Sequence, residues 1–477
     1  MTRVSRRTAV LGGAVIPFAQ WFATQAQARA PRIRRDLSTP GGQADLAKYA
    51  KAVQMMMARP EADTRGWMFE WYIHFVRGDR SKAAEVARVY PGPSAARTLA
   101  LASWSTCQAH SGQNEDYFLP WHRMYVFFLE SVCQNLLNDP TFALPYWRYT
   151  QPNQRSLPAP FRVAGSQLYR PNRNGPVNNG AAIDQGLNPT PINTSSLSRT
   201  TYSGNTGFCA TIDGGLHGSV HVLVGNGQGM GSVPWAGNDP IFWMHHSNID
   251  RMWASWNKNG GCNPTDAGWL NKTFTFPDGN GNSIVAKISD FKSIGALGYT
   301  YDTFEPGPRV GFCPPLKLFL DRMPHVAILK RPIKLDPLGP VSVTLELPPE
   351  AMLKGDPRML QAAPRTGKTM LVIEDLQAQV QPGVLFAVGV ASAPGAKPKT
   401  VGHINFFDAV PLDHGDDKDA HAGHERTDND PDDNKAFSFD ITGLVRKGAK
   451  PVITLTPVGK ADARAEPVVN GFRIVTE

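Results

Sequence analysis

The chain has 477 residues, 41% hydrophobic and 19% charged, a composition that excludes a disordered or collagen-like protein and leaves room for two buried cores. A formal net charge of +8 does not imply nucleic acid, because the lysines and arginines are scattered and no basic tract carries interleaved aromatics. Five cysteines (Cys107, Cys133, Cys209, Cys262, Cys313) are too few for a disulfide framework, with at most one bridge among the last three, and no CxxC pair points to zinc.

In chain order, the first 30 residues read as a leader. Ser5-Arg6-Arg7-Thr8 precedes the apolar run Ala9 to Ala23, and Ala26-Gln27-Ala28 or Ala28-Arg29-Ala30 offers a small-residue cleavage site. The run is shorter than the roughly 20 residues that span a membrane. Paired arginines are the mark of a bacterial twin-arginine signal, which exports proteins already folded around a cofactor to the periplasm or beyond; a disordered basic N-terminus is the plainer alternative. No other segment reads as membrane-spanning.

From about 41 to 260 the pattern is mainly helical, broken by long Gly/Pro/Asn-rich loops such as 156–207. Helices are expected over Leu46 to Ala58, Gly66 to Val76, Pro120 to Leu137, Leu216 to Val224 and Pro240 to Asn257. The Pro-rich stretch 306–340 reads as a linker. Beyond it the periodicity becomes alternating in VSVTLEL (341–347), TMLVIED (369–375), VLFAVGV (384–390), AFSFDI (436–441), PVITLTP (451–457) and GFRIVTE (471–477). The expected fold is a mainly α domain over 31–305 followed by an all-β sandwich or barrel over 341–477. The acidic loop 413–433 carries His414, His421 and His424 and reads as solvated, metal capture being its less ordinary use.

Chemistry concentrates in the helical part. In NDPIFWMHHSNIDRMW (238–253) Asp239 can cap a helix and Pro240 suits its first turn. Phe242, His246, Ile249, Asp250 and Trp253 then share one face. Alone, a histidine there is an ordinary hydrogen-bonded core residue. GGLHGSVHVLVG puts His217 and His221 four apart on a short, glycine-interrupted helix, which suits a ligand platform for zinc as well as for other metals. His217, His221 and His246 together make a three-nitrogen site, with Asp250 as the partner that would fix a ligand's tautomer. FLPWHRMYVFFLE (118–130) sets His122 in a first turn, and His74 and His110 can complete a second three-nitrogen site. Six neutral imidazoles without thiolate suit copper, among other metals.

With these motifs on view, the chain resembles the type 3 copper proteins (tyrosinases, catechol oxidases and haemocyanins), and most closely the plant-type polyphenol oxidases. FLPWHRMYVFFLE is similar to that family's first copper signature and NDPIFWMHHSNIDRMW to its second. DPTFALPYWRY (139–149), the Tyr-x-Tyr of GYTYD (298–302) and the strand-like VSVTLEL, LVIEDL and VLFAVGV extend the likeness. The resemblance implies a bacterial polyphenol oxidase with a four-helix-bundle copper core: His74, His110 and His122 on the first copper, His217, His221 and His246 on the second, and His245 a neighbour. It implies O2 as co-substrate, small phenols as substrates, and oxidation of o-diphenols to o-quinones. An oxygen carrier of the haemocyanin kind is the alternative from another class.

The family pattern is not matched everywhere. His110 and His122 are twelve apart where relatives have about nine between these ligands, so SGQNEDYFLPW holds an insertion. Cys107, three before His110, is either thioether-linked, as in many relatives, or an ordinary buried thiol. Relatives hold a phenol-activating water with a glutamate and an asparagine; here Asp213 and Gly218 stand at those places, which favours diphenol oxidation over phenol hydroxylation, unless Asp213 is only a helix cap. Counting back from His246 makes Val233 the residue that would gate the second copper. The β domain resembles one that keeps such enzymes latent, its simpler role being stabilisation.

Overall fold

The structure is a computed structural model and describes residues 16–18, 30–109, 116–310, 325–346, 368–410, 435–445 and 449–476. The elements that carry the site are α1 (Pro40–Met57), α2 (Trp67–His74), α3 (Phe118–Leu137), α4 (Gly218–Val224) and α5 (Pro240–Lys258). Two longer-than-expected helices start on local caps. The Thr39 side chain accepts from Gly42 N ahead of α1, and Asp239 accepts from Ile241 N ahead of α5, with Pro240 in the first turn as expected. α3 ends at Asn138, whose φ of 49° is the left-handed conformation that stops helices.

α3 and α5 are buried almost around their whole circumference, which is why neither shows a clean polar stripe. Trp121, Tyr125, Phe242 and Trp243 fill the space between them; Tyr125 and Trp243 have ring centroids 4.4 Å apart. The strand Arg32–Arg34 runs parallel to Tyr299–Tyr301, so the start and end of the helical domain are joined. A hairpin of Thr273–Pro277 and Ser283–Lys287, unanticipated from the sequence, covers α3. Within the expected leader, Ile16–Pro17 pairs with Ile284 and Val285, and Phe18 is buried against Phe127, Phe128 and Phe291.

The β domain is a sandwich of two four-stranded antiparallel sheets. Its strands are β1 (His325–Lys334), β2 (Val341–Thr344), β3 (Thr369–Gln377), β4 (Phe386–Ala391), β5 (Lys399–Ile404), β6 (Ala436–Asp440), β7 (Val452–Pro457) and β8 (Val468–Thr476). One sheet has the order β5-β4-β7-β2 and the other β6-β3-β8-β1. β1 corrects the linker expected over 306–340. Pro332 suggested a break, but β1 is an edge strand, and Arg331 and Pro332 fall where its register with β8 shifts between Val469 and Gly471. A proline costs no ladder hydrogen bond at such a bulge.

Among the cysteines, Cys107, Cys133 and Cys209 are free thiols and Cys262 is disulfide-bonded. Among the described residues no helix is long and apolar enough to cross a membrane. The acidic loop 413–433 lies outside the described residues.

Candidate metal centre

The four helices α2 to α5 bring their histidines to one buried place. His217, His221, His245 and His246 form a group whose ligand atoms lie within 4.8 Å of one another, and His74, Cys107 and His122 form a second such group. The groups adjoin: His122 and His246 stack at 4.3 Å with their planes 7° apart, and His122 and His217 have centroids 6.0 Å apart. His110 lies outside the described residues.

Four of the rings are held from behind, through Nδ1. His74 Nδ1 is 3.1 Å from Val233 O, His122 Nδ1 is 2.8 Å from Phe118 O, and His221 Nδ1 is 2.7 Å from Met230 O. His217 is held differently, its Nδ1 lying 2.8 Å from Asp213 Oδ1. With Nδ1 donating, Nε2 is left with its lone pair. Nε2 of His217 and of His221 is buried without a partner, and so are both ring nitrogens of His246. Burial favours the neutral form of five of the rings: it pulls His74 down to about 3 and His122, His221, His245 and His246 well below the ordinary histidine value, with the neighbouring imidazoles acting the same way. Unpartnered nitrogens that converge from several helices fit a metal, which binds several such lone pairs at once.

His245 is closer to the centre than a mere neighbour. Its Nδ1 is 2.8 Å from the Tyr149 hydroxyl, and its Nε2 is a buried atom without a partner in the same group as His217, His221 and His246. Cys107 Sγ lies 3.6 Å from His122 Nε2.

Asp250 departs from its expected role. It touches no histidine; it accepts from Arg34 at 3.1 Å, from the Tyr299 and Tyr301 hydroxyls at 2.7 and 2.6 Å, and from Arg123. Burial would raise its pKa, but Arg123, Arg34 and the two phenols hold it below the ordinary aspartate value. Arg34 continues the network to Glu130 at 2.9 Å. One turn beyond His246, the aspartate has passed the metal centre and instead locks α3, α5 and the Tyr-x-Tyr strand together.

Val233 meets the centre through its backbone carbonyl, which accepts from His74 behind the first group. The ring that covers the second group is Phe407 of the β domain. It is 3% exposed, stacks on His221 at 4.0 Å and meets His217 edge-on at 5.6 Å. Beside it, Asn405 donates to Gly214 O at 2.8 Å, and a Cβ on Gly218 would come within 2.6 Å of Asn405 Oδ1. Gly218 is thus the residue that lets the β domain sit down. Lys435 steadies Asn405 by donating to Oδ1 at 3.0 Å while pairing with Asp408. The sequence signal for Phe407 was the tandem Phe406-Phe407, which stands at the turn after β5: Phe406 enters the sandwich core and Phe407 the helical domain.

A helical fold presenting two histidine groups under a β-sandwich defines a protein with a binuclear metal centre. Residues 94–208 and 184–259 match the family model of the common central domain of tyrosinase, and residues 263–314 match the polyphenol oxidase middle domain. Polyphenol oxidase E, chloroplastic, of Solanum lycopersicum is 34% identical over 232 residues, covering 41% of this chain and 39% of that one. Catechol oxidase B, chloroplastic, of Solanum tuberosum is 33% identical over 232 residues, covering 41% and 39%. The chain spans between 36% and 52% of the length of the curated relatives it matches. In fold it is similar to latent apple tyrosinase, with a TM-score of 0.62 over 97% of this chain and 99% of that one at 23% identity.

Proposed function

We propose that the chain is a copper-dependent polyphenol oxidase that oxidises o-diphenols to o-quinones with O2. The observation that carries this reading is the convergence of buried, unpartnered imidazole nitrogens from α4 and α5 upon His74 and His122. His74, His110 and His122 would hold one copper and His217, His221 and His246 the other. Bound copper would supply the electron transfer by which two catechols become two quinones while O2 is reduced to two waters. The protein's own part is to aim the imidazoles, those of His74, His122, His217 and His221 through an acceptor behind Nδ1, and to exclude water with aromatic walls.

Two features support diphenols over monophenols. Hydroxylating a phenol needs its proton removed first, from a group whose free pKa is near ~10. Asp213 is committed to His217, and the space a side chain at 218 would use is filled by Asn405. Phe407 supports latency: while the β domain is seated, a phenol has no room above His221. The same cover supports the second reading, an oxygen carrier, since O2 needs far less room than a catechol. Export by a twin-arginine signal remains part of the proposal and rests on Arg6 and Arg7.

Oxygen uptake by copper-loaded protein, cleaved between its two domains and offered p-cresol with a trace of catechol, tests the reading. Uptake that stops when the catechol is consumed is expected. Sustained uptake would make the chain a monophenol hydroxylase as well, and reversible O2 binding without catechol loss would make it a carrier.

A further inference from the structure

Of the five described histidines of the two groups whose Nδ1 has a partner, three face neutral backbone carbonyls, one a tyrosine hydroxyl and one a carboxylate. The last is His217. Asp213 and His217 lie in a π-helical turn, Thr211–His217, that leads directly into α4. Such wide turns are rare in helices and collect at functional sites. Here the turn keeps the Asp213 carboxylate 2.8 Å from Nδ1, while the Asp213 carbonyl is a poorer acceptor at 3.3 Å. Both side chains are buried, with relative exposures of 4% for Asp213 and 5% for His217, so water screens the pair little. The turn is pinned from outside: its Gly214 carbonyl accepts from Asn405 of the β domain.

We infer that Asp213 is a positioning residue for the second metal: by accepting a hydrogen bond from Nδ1–H it fixes the tautomer of His217 and sets a negative charge behind that ligand. A carboxylate behind an imidazole raises the ligand's basicity, and losing such a partner typically costs 10–100-fold in metal affinity. The second position therefore draws affinity from a charge that the other described ligands do not have. This role replaces the expected one of holding a substrate-activating water. It rests on the reading of the centre as binuclear.

The test is copper binding by the full chain, measured by stoichiometry and by competition with a chelator. Wild-type protein is expected to hold two coppers. Asp213→Ala is expected to weaken one of them 10–100-fold and leave the other unchanged. Asp213→Asn, which keeps an acceptor oxygen without the charge, is expected to fall between. Added to His221→Ala, which removes the second position by itself, neither substitution should weaken the remaining copper further. The far-UV circular dichroism of the metal-free variants monitors folding, and Asp213→Asn, nearly isosteric, carries the test if Asp213→Ala fails to fold. Two coppers bound with wild-type affinity, or both weakened alike, would overturn the inference. Wild-type protein that holds no copper would instead overturn the proposed function.

Discussion

The two histidine groups are built by different means. The first is an internal product of the helical domain: α2 and α3 supply His74 and His122, and neutral carbonyls of the same domain orient them. The second is shared. The π-helical turn, α4 and α5 supply His217, His221 and His246 in that order, but a carboxylate backs His217, and the β domain lays Phe407 on His221 and pins the turn that carries His217. The contacts of the β domain with the centre therefore fall on the second group.

Breaking what the groups have in common has the largest expected effect. Asp250 joins α5, which carries His246, to α3, which carries His122, through Arg123 and Arg34. Asp250→Ala leaves Arg123 buried without its carboxylate, takes one of the two from Arg34, and should cost about 3–5 kcal/mol of unfolding free energy, read from denaturant midpoints. A cost below 1 kcal/mol would show that the network orients nothing.

Removing the cover sharpens the contrast. Phe407→Ala should raise catechol oxidation by the uncleaved protein severalfold and weaken domain docking by about 3–5 kcal/mol, the usual cost of emptying a buried phenylalanine site. Unchanged activity of a folded variant would place the barrier to substrate somewhere other than the β domain.

Acid should loosen the shared group selectively. His403, on β5, faces the cleft between the domains, and burial pulls it down to about 4. Since the exposed side chain titrates near 6.5, the undocked state binds the extra proton between these values. Docking is fully stable above pH 6.5, weakens by up to ~1.4 kcal/mol per pH unit down to pH 4, and changes no further below. Accessibility of the interface to hydrogen exchange should rise over that window, and His403→Phe should flatten the rise; an equal rise in the variant would assign it to other groups.

The smallest effect is expected at Val233. Because its contact with the centre is a backbone carbonyl behind His74, Val233→Phe should leave the relative rates on small and bulky catechols unchanged. A narrowed range would restore this residue as the gate.

Much of the fold was legible because periodicity reports burial. The long helices, six of the eight β-domain strands and the change of architecture after the helical part all stand where their apolar spacing put them. β1 was not, because an edge strand can hold a proline, and β5 was not, because KTVGHI alternates too weakly. Of the expected ligands, His74, His122, His217, His221 and His246 are gathered into the two groups, while Asp250 joins an arginine and tyrosine network instead of backing a histidine.

By itself, the sequence determined which residue types the centre contains and which helices carry them, since ligand spacing along a helix is set by 3.6 residues per turn. Only the tertiary structure decided what stands behind and above those ligands. Asp250 and Asp213 are both one helical turn from a histidine, four residues apart along the chain, yet one closes an arginine network and the other a histidine. Phe407 lies 186 residues beyond His221 and still packs on it at 4.0 Å. Contacts of that reach depend on how two separately folded cores seat against each other, which no local pattern encodes.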